Sequence, residues 1–342
     1  MSEIIHRYEP LWGEWYIDEF LGCGTYGMVW KVYRKTKNGI EYAAVKEVII
    51  PNVGNVDIAA FSEGISKDGI EYYAQGLYDE AIQEINLMKL ISGCKNIVDY
   101  KDCEIKSLKE FGDLGWVIFI RLELLECFET KAAKGLTVSE ILKFGIDICK
   151  ALEICETHQI IHRDMKHANL FYDPKTDTYK LGDFGISRFI TEPTELKGIP
   201  GMLTHMPPEV YQNRMYTCGS DQYALGIIIY RFLNQNRVPL LPPYPLPYSM
   251  KDRDAALAKR LNGCEIGAPN ISIFENKEFS EEDLMLFSEC GAKLNLQSLP
   301  AAIAIGKIAQ KEISPDPQKR FASATDFRCA LERVKEDFDI DV

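Results

Sequence analysis

The ten cysteines of this 342-residue chain include no closely spaced pair. Each cysteine stands apart from the others, and no C-x-x-C sequence occurs. Secreted disulfide frameworks and zinc sites usually show paired or regularly spaced cysteines, so this absence argues against both classes. We therefore expect reduced, mostly buried thiols in a cytoplasmic protein.

An excess of basic residues is also missing. The chain has 39 Lys and Arg residues against 51 Asp and Glu residues, which gives a formal net charge of −12. Phosphate backbones require a basic surface, so we expect no nucleic-acid partner. A small anionic ligand held by a few local lysines remains compatible with this charge.

Long apolar runs are absent too. The longest, YALGIIIYRFL from Tyr223, is too short for a bilayer and carries Arg231. Residues 1–10 lack the basic-then-apolar form of a signal peptide. We therefore expect no membrane span in this chain. No internal repeat is evident either.

The predicted secondary structure changes from mainly strands to mainly helices near residue 126. Before it, alternating apolar residues predict strands, an irregular stretch follows from Pro51 to about Gly76, and YDEAIQEINLMKLIS has helical periodicity. After it, helical patterns dominate, with a capping box over residues 137–140 and Ser220 as a candidate helix cap. We predict an α+β protein with a β-rich unit, residues 1–125, and a helical unit, residues 126–342. The obvious cleft would lie at their junction.

The sequence GCGTYGMV at residues 22–29 has the pattern G-x-G-x-x-G-x-V. Glycines allow a backbone to approach phosphates closely and to present its N–H groups. The pattern also occurs in dinucleotide-binding folds, where a helix begins at once. Here MVWKVYRK continues as a strand, which indicates a hairpin over a ligand or simply a tight turn.

A lysine follows on the strand AAVK at residues 43–46. Strand alternation places Tyr42, Ala44 and Lys46 on one face. The small Ala44 leaves room for a flat base, while Lys46 can reach phosphate oxygens. A buried lysine needs an acidic partner. Glu84 on the predicted helix is the first candidate, and Glu80, one turn earlier, is the second.

The most specific motif is HRDMKHAN at residues 162–169, followed by DFG at residues 183–185. The pair matches the catalytic loop and metal-binding motif of protein kinases. The chain resembles a eukaryotic-type (Hanks-type) Ser/Thr protein kinase over roughly residues 12–335. The long link between Val48 and Asp79 is similar to that of bacterial members, and residues 62–82 either extend or precede the Glu84 helix. The link either controls that helix or is surface elaboration. The resemblance implies a two-lobed fold, with one main helix in the β-rich N-lobe and a larger helical C-lobe.

The resemblance also implies a role for each matching residue. Asp164 would orient the substrate hydroxyl, and Lys166 would lie beside the γ-phosphate of ATP. Asn169 and Asp183 would hold Mg²⁺, with Mn²⁺ as the alternative ion. Lys46, paired with Glu84, would hold the α- and β-phosphates.

Further positions would bind the rest of the nucleotide. Gly22, Gly24 and Gly27 would cover the phosphates, and Leu122 would precede the connector whose backbone binds the adenine edge. The remaining positions implied for adenine binding are Leu21, Val29, Ala44, Glu123, Leu125 and Phe171.

The segment that follows DFG agrees with the family only in part. It closes on Pro207-Pro208-Glu209, whose glutamate would pair with Arg320. Asp221 would brace the catalytic loop as in the family, although a helix N-cap is the simpler interpretation. Met202 stands where a Ser/Thr kinase has a threonine, and methionine cannot donate the same hydrogen bond. His205 replaces the usual tyrosine.

These departures affect the substrate platform and leave the nucleotide-binding residues intact. We expect protein substrates with Ser or Thr acceptors. Autophosphorylation at Thr191 or Thr194 would place a phosphate opposite Arg163, unless Glu192 or Glu195 already supplies that charge. A pseudokinase that binds nucleotide or a partner is the first alternative. A small-molecule phosphotransferase is the second, and the Glu209–Arg320 pair argues against it.

Overall fold

Strands with alternating side chains build the amino-terminal unit, Met1–Leu125, in the computed structural model of the chain. The structure describes residues 4–24, 27–51, 67–108, 115–184, 188–189, 203–213, 215–275, 279–289 and 291–342. Five strands form one antiparallel sheet in the order β1-β2-β3-β5-β4. They are β1 Tyr16–Gly24, β2 Gly27–Thr36, β3 Gly39–Ile50, β4 Tyr100–Ser107 and β5 Trp116–Leu122.

The edge strand β4 is not evident from its sequence, YKDCEIKS. Its residues are nearly all half-buried, so the apolar alternation that identifies the other strands is weak here. Charged side chains on an edge strand also oppose pairing with a further strand.

One long helix, α1 Lys67–Leu90, completes the amino-terminal unit. It begins at Lys67, so the prediction of an irregular stretch up to Gly76 is wrong from that residue onward. The alternative prediction, in which this part of the link extends the Glu84 helix, is confirmed there. A continuous buried face explains the difference: Ala74 and Ile85 are buried, and the Tyr78 ring lies 4.7 Å from the Trp116 ring. Such packing outweighs the cost of a glycine inside a helix.

The residues before β1 cover one face of the sheet. Ile5, Leu11 and Trp15 are buried in a cluster with side chains of β2, β3 and β5. Glu47 lies fully buried on β3, where its Oε2 accepts a hydrogen bond of 3.0 Å from Trp30 Nε1. This face is therefore occupied by the chain's own residues, and the opposite face carries Ala44 and Lys46.

The carboxy-terminal unit, Glu126–Val342, is mainly helical. Short strands form one three-stranded sheet, β6-β8-β9, and one two-stranded sheet, β10-β7. The strands are β6 Glu126–Cys127, β7 Ile160–Ile161, β8 Leu170–Asp173, β9 Thr178–Leu181 and β10 Arg188–Phe189. The helices are α2 Phe128–Ala132, α3 Val138–Thr157, α4 Pro208–Asn213, α5 Cys218–Leu233, α6 Met250–Leu261, α7 Glu281–Ser288, α8 Leu299–Glu312 and α9 Ala324–Asp337.

Helix α5 is buried along almost its whole length and packs against α3 and α8. Gly226 permits this packing, because a Cβ there would lie 2.9 Å from Ile313 Cγ2. The N-cap of α5 is Thr217, and Ser220 Oγ accepts the Thr217 N–H at 3.0 Å. The alternative predictions of Ser220 or Asp221 as the cap are therefore wrong, since both residues lie inside the helix.

The capping box predicted at residues 137–140 is confirmed. Glu140 N–H donates to Thr137 Oγ1 at 3.2 Å, and Thr137 N–H donates to Glu140 Oε2 at 2.9 Å. In the described part of the chain each cysteine is a free thiol. No helix within those ranges is long and apolar enough to cross a membrane.

A buried carboxylic acid gives the carboxy-terminal unit a testable pH dependence. Burial raises the pKa of Glu312 from 4.5 to about 8, although the Phe321 N–H and Arg320 oppose the shift. The folded chain thus holds this proton more tightly than the unfolded chain. The resulting stability is fully present below about pH 4.5 and is lost as pH rises through 8.

Glu312→Gln keeps an acceptor for the Phe321 N–H and removes the ionisation. We expect this variant to show a flatter dependence of melting temperature on pH between 5 and 8, and to melt above the wild type at pH 8. Thermal unfolding across this range measures the effect, with the exposed Glu282→Gln as the matched control. Parallel curves for the wild type and both variants would contradict the interpretation.

Candidate active site

The glycine-rich sequence forms a hairpin between β1 and β2, closed by the Gly24 and Gly27 pair. β2 continues as a strand, as predicted, which excludes the strand-to-helix turn of a dinucleotide-binding fold. Gly27 has φ +148°, and a Cβ there would lie 2.1 Å from the Glu47 carbonyl oxygen. A Cβ at Gly22 would contact nothing within 4 Å, so packing alone does not require that glycine.

The structure brings Lys46 and Glu84 together. Lys46 Nζ lies 2.7 Å from Glu84 Oε1, and both residues are buried. Glu80, the second candidate for this partner, is exposed. The ion pair fixes the lysine side chain on its strand and joins α1 to β3. The Lys46 ammonium group is thus held on a face of the sheet whose neighbouring positions carry small or aliphatic side chains.

Strand register defines that face. Val29 lies opposite Lys46, and Ala44 lies opposite both Lys31 and Leu122. Residues opposite one another in antiparallel strands share a face, so Val29, Ala44, Lys46 and Leu122 lie on the same side of the sheet. Leu21 lies at an irregularity of β1 and is 45% exposed.

The connector after Leu122 is anchored by reciprocal hydrogen bonds. Glu123 N–H donates to the Asp99 carbonyl at 3.1 Å, and Asp99 N–H donates to Glu123 Oε1 at 2.7 Å. The connector ends the amino-terminal unit at Leu125. In the carboxy-terminal unit, Phe171 is half-buried on β8 and pairs with Cys127 and Lys180.

The catalytic-loop motif surrounds one buried carboxylate. Asp164 Oδ2 accepts hydrogen bonds from Lys166 Nζ at 2.6 Å and from Asn169 Nδ2 at 3.0 Å. Asn169 Nδ2 also donates to the Asp164 carbonyl at 2.8 Å. Among the described residues, no donor contacts Asp164 Oδ1 or Asn169 Oδ1. The loop therefore presents two oxygens whose positions are fixed by the same set of hydrogen bonds.

Gly182 connects this loop to Asp183. Its N–H donates to the Asn169 carbonyl at 2.9 Å, and its carbonyl lies 3.0 Å from His162 Nε2. Phe184 is buried with its ring centroid 4.9 Å from that of His162. Asp183 is half-buried, with φ +58°. The Gly182–Asn169 hydrogen bond therefore keeps the backbone that leads to Asp183 next to the catalytic loop.

Asp221 holds the backbone of the catalytic loop from α5. Its carboxylate accepts the His162 N–H at 2.7 Å and the Arg163 N–H at 2.9 Å. Burial raises the pKa of Asp221, and these two backbone hydrogen bonds oppose that rise. The bracing role implied by the family resemblance is therefore present in the geometry.

Glu209 and Arg320 form a bidentate ion pair, with Arg320 Nη1 2.6 Å from Glu209 Oε1 and Nη2 2.8 Å from Oε2. The Arg320 guanidinium also lies over the Tyr223 ring, 4.6 Å from its centroid. Tyr223 is fully buried in α5, and its ring provides a flat surface against this guanidinium.

Arg260 is a structural residue that the sequence does not indicate. This fully buried residue of α6 donates to the Leu203 and Met206 carbonyls and to the Tyr223 hydroxyl. It thus holds the end of the segment that precedes Glu209. No signal in the sequence marks it, because it is one of several charged residues in a mostly exposed helix.

Several predicted positions lie outside the described residues. They include Met202, Thr191, Thr194, Glu192, Glu195 and Gly185, together with most of the link between Val48 and α1. Within the described ranges, no group of three or more His, Cys, Asp or Glu side chains could hold a metal ion. A divalent ion at Asn169 and Asp183 would therefore need further ligands from a bound molecule or water.

Comparisons with known proteins agree on one family. The family model "Protein kinase domain" matches residues 15–294. The chain is 31% identical over 194 residues to the probable serine/threonine-protein kinase nek3 of Dictyostelium discoideum, covering 50% of this chain and 17% of that protein.

Two further relatives differ in their named specificity. Mouse serine/threonine-protein kinase Nek1 is 36% identical over 139 residues, 40% of this chain and 11% of that protein. The human cytoplasmic tyrosine-protein kinase BMX is 26% identical over 199 residues, 57% of this chain and 27% of that protein. The chain thus matches less than a third of the length of each of these relatives.

We expect the Glu209–Arg320 ion pair to contribute strongly to the stability of the folded chain. Glu209→Gln leaves the nearly buried Arg320 without its counter-charge, which should lower the free energy of unfolding by about 3–5 kcal/mol. Urea unfolding measures the loss. Glu275→Gln, which breaks the exposed pair with Lys307, is the matched control and should cost less than about 1 kcal/mol. Equal losses in the two variants would show that burial of the pair is irrelevant.

Proposed function

The chain belongs to the protein kinase domain family, and from this premise we propose that it transfers the γ-phosphate of ATP to Ser or Thr hydroxyls of proteins. The observation that carries the proposal is the environment of Asp164. Lys166 and Asn169 both bind Oδ2 of its carboxylate, and Oδ1 remains for a substrate hydroxyl. In phosphoryl transfer, catalysis consists mainly of positioning and electrostatic stabilisation.

Asp164 would accept the hydrogen bond of the attacking hydroxyl and thereby orient its oxygen toward the γ-phosphate. Lys166, already 2.6 Å from the same carboxylate, would stabilise the negative charge that develops on the transferred group. Both side chains are held by the loop itself, so little reorganisation would accompany the reaction. This pre-organised pair supports turnover over the pseudokinase alternative.

Lys46 would bind the α- and β-phosphates, with Glu84 fixing its side chain. The backbone at Gly22, Gly24 and Gly27 would cover the phosphates, and the free space at Gly22 supports close approach of a ligand there. We propose that Val29, Ala44 and Leu122, which share a sheet face, contact adenine. Leu21, Glu123 and Leu125, together with Phe171 of the carboxy-terminal unit, are further residues proposed to contact adenine.

Mg²⁺ fits the donor set of the catalytic loop, and Mn²⁺ is the alternative ion. Asn169 offers an amide oxygen that no described residue contacts. Asp183 would offer a carboxylate, and it follows Gly182, whose N–H donates to the Asn169 carbonyl. Hard oxygen donors of this kind, completed by phosphate oxygens and water, suit Mg²⁺. The ion would supply positive charge that offsets the charge of the phosphates.

Lys166, two residues after Asp164, supports Ser/Thr rather than Tyr specificity, because it matches the Ser/Thr members of the family. We further propose autophosphorylation at Thr191 or Thr194. Arg163, whose guanidinium lies 5.5 Å from the centroid of the Tyr216 ring, would face that phosphate. Phosphopeptide mapping after incubation with ATP identifies the acceptors.

Transfer of labelled phosphate from ATP to the chain itself or to a generic protein tests the function. We expect Mg²⁺-dependent labelling of Ser or Thr by the wild type, and its loss in Asp164→Ala and Asp183→Ala. Binding of ATP by all three proteins would show that the nucleotide site is intact. ATP binding without transfer to any substrate, under varied metal ions, would instead support a pseudokinase.

A further inference from the structure

A cavity of about 430 Å³ lies beside the catalytic loop, wholly within the carboxy-terminal unit. Its lining includes Lys166 and His167 of the loop, His205 of the segment before Glu209, Arg231 near the end of α5, and Glu129 of α2. Lys166 also contacts Asp164, so one side chain links the cavity to the proposed catalytic carboxylate.

The charge of this cavity is dominated by Arg231. Its guanidinium donates from Nη2 to Asn236 Oδ1 at 2.9 Å and weakly from Nε to the Asn236 carbonyl. Both acceptors are neutral, and no carboxylate of the described residues forms an ion pair with Arg231. Lys166, in contrast, is already neutralised by Asp164 at 2.6 Å.

The other lining groups reinforce this picture. Burial lowers the pKa of His205 well below the ordinary value, so this ring is neutral near pH 7. Thr204 Oγ1 lies 3.2 Å from His205 Nδ1. His205 Nε2 has no hydrogen-bond partner among the described residues, although the side chain is 3% exposed.

Glu129 is the acidic residue of the lining, and it lies on the exposed side of α2. The ion pairs of the described residues include none between Glu129 and Arg231. A half-buried guanidinium with neutral partners attracts an anionic oxygen, because such charge-assisted hydrogen bonds are about twice as strong as neutral ones. A cationic side chain entering the same cavity would be repelled.

We propose that this cavity is a substrate-specificity subsite that binds an anionic side chain, a carboxylate or a phosphate, close to the acceptor residue. The proposal rests on the proposed kinase function. Arg231 provides the charge, and His205 provides a further polar group. Only the Lys166 side chain separates the cavity from Asp164. An extended peptide advances about 3.3 Å per residue, so the anionic residue that enters the cavity should lie roughly two to four residues from the acceptor.

A peptide series tests the subsite. Each peptide carries one Thr acceptor and, at one of the positions within roughly four residues on either side, Glu, Gln, Lys or phosphoserine. We expect Glu or phosphoserine at one position to raise kcat/KM about tenfold over Gln. This preference for the acidic peptide should disappear in Arg231→Gln and persist in Arg231→Lys. In Arg231→Glu the peptide with Lys at that position should become the preferred substrate. Arg333→Gln, an exposed arginine of α9, is the matched control and should keep the wild-type ratio.

Peptide binding provides a readout that does not depend on turnover. Fluorescence anisotropy of labelled peptides with Ala in place of the acceptor compares the Glu and Gln versions on the same proteins. Arg231-dependent preference for the acidic peptide without any phosphorylation would support the subsite and contradict the proposed function. The subsite proposal is overturned if the wild type binds the Glu and Gln peptides equally well, or if Arg231→Gln still prefers the Glu peptide. A higher kcat/KM for the Lys peptide in the kinetic series would also overturn it, because Glu129 and not Arg231 would then set the preference.

Discussion

The buried carboxylate of Asp221 is the constraint on which the candidate active site depends. It accepts two consecutive backbone N–H groups, those of His162 and Arg163. Arg163 has φ +69°, in the left-handed region that is unfavourable for a non-glycine residue, so these hydrogen bonds hold a backbone that would otherwise relax. His162 then reaches the Gly182 carbonyl, and Gly182 N–H reaches Asn169. One side chain thereby fixes the loop that carries the proposed catalytic and metal-binding residues.

Helix α5 carries three polar residues with separate roles along its length. Asp221, near the start of the helix, holds the catalytic loop. Tyr223 contacts both Arg260 and Arg320, and these two arginines anchor the segment ending at Glu209. Arg231, near the opposite end, lines the cavity proposed to bind an anionic side chain. The helix is almost entirely buried, so these polar residues have rigid supports. Chemistry and substrate selection would then share one scaffold.

The sequence predicts the parts of this arrangement that depend on local patterns. Alternation identifies β3, and the Thr137 capping box marks the start of α3. Helical periodicity makes Glu84 the first candidate for the partner of Lys46, with Glu80 as the second, and the structure selects Glu84. The sequence leaves the start of α1 open between two alternatives, because packing of buried residues such as Ala74 and Ile85 keeps the helix continuous through Gly76. Arg260 and the cavity at Arg231 also escape prediction, since both arise from contacts between residues distant in the chain.

Phosphoryl transfer is expected to depend on Asp221. In Asp221→Asn, an amide replaces one acceptor of the two backbone N–H groups, and displacement of Asp164 by about 1 Å should reduce the transfer rate about a hundredfold. The direct measurement is the single-turnover rate at saturating Mg-ATP, with ATP affinity and thermal unfolding recorded for the same samples. We expect a folded protein with near wild-type ATP affinity and slow transfer. A folded Asp221→Asn protein with the wild-type rate would contradict the account.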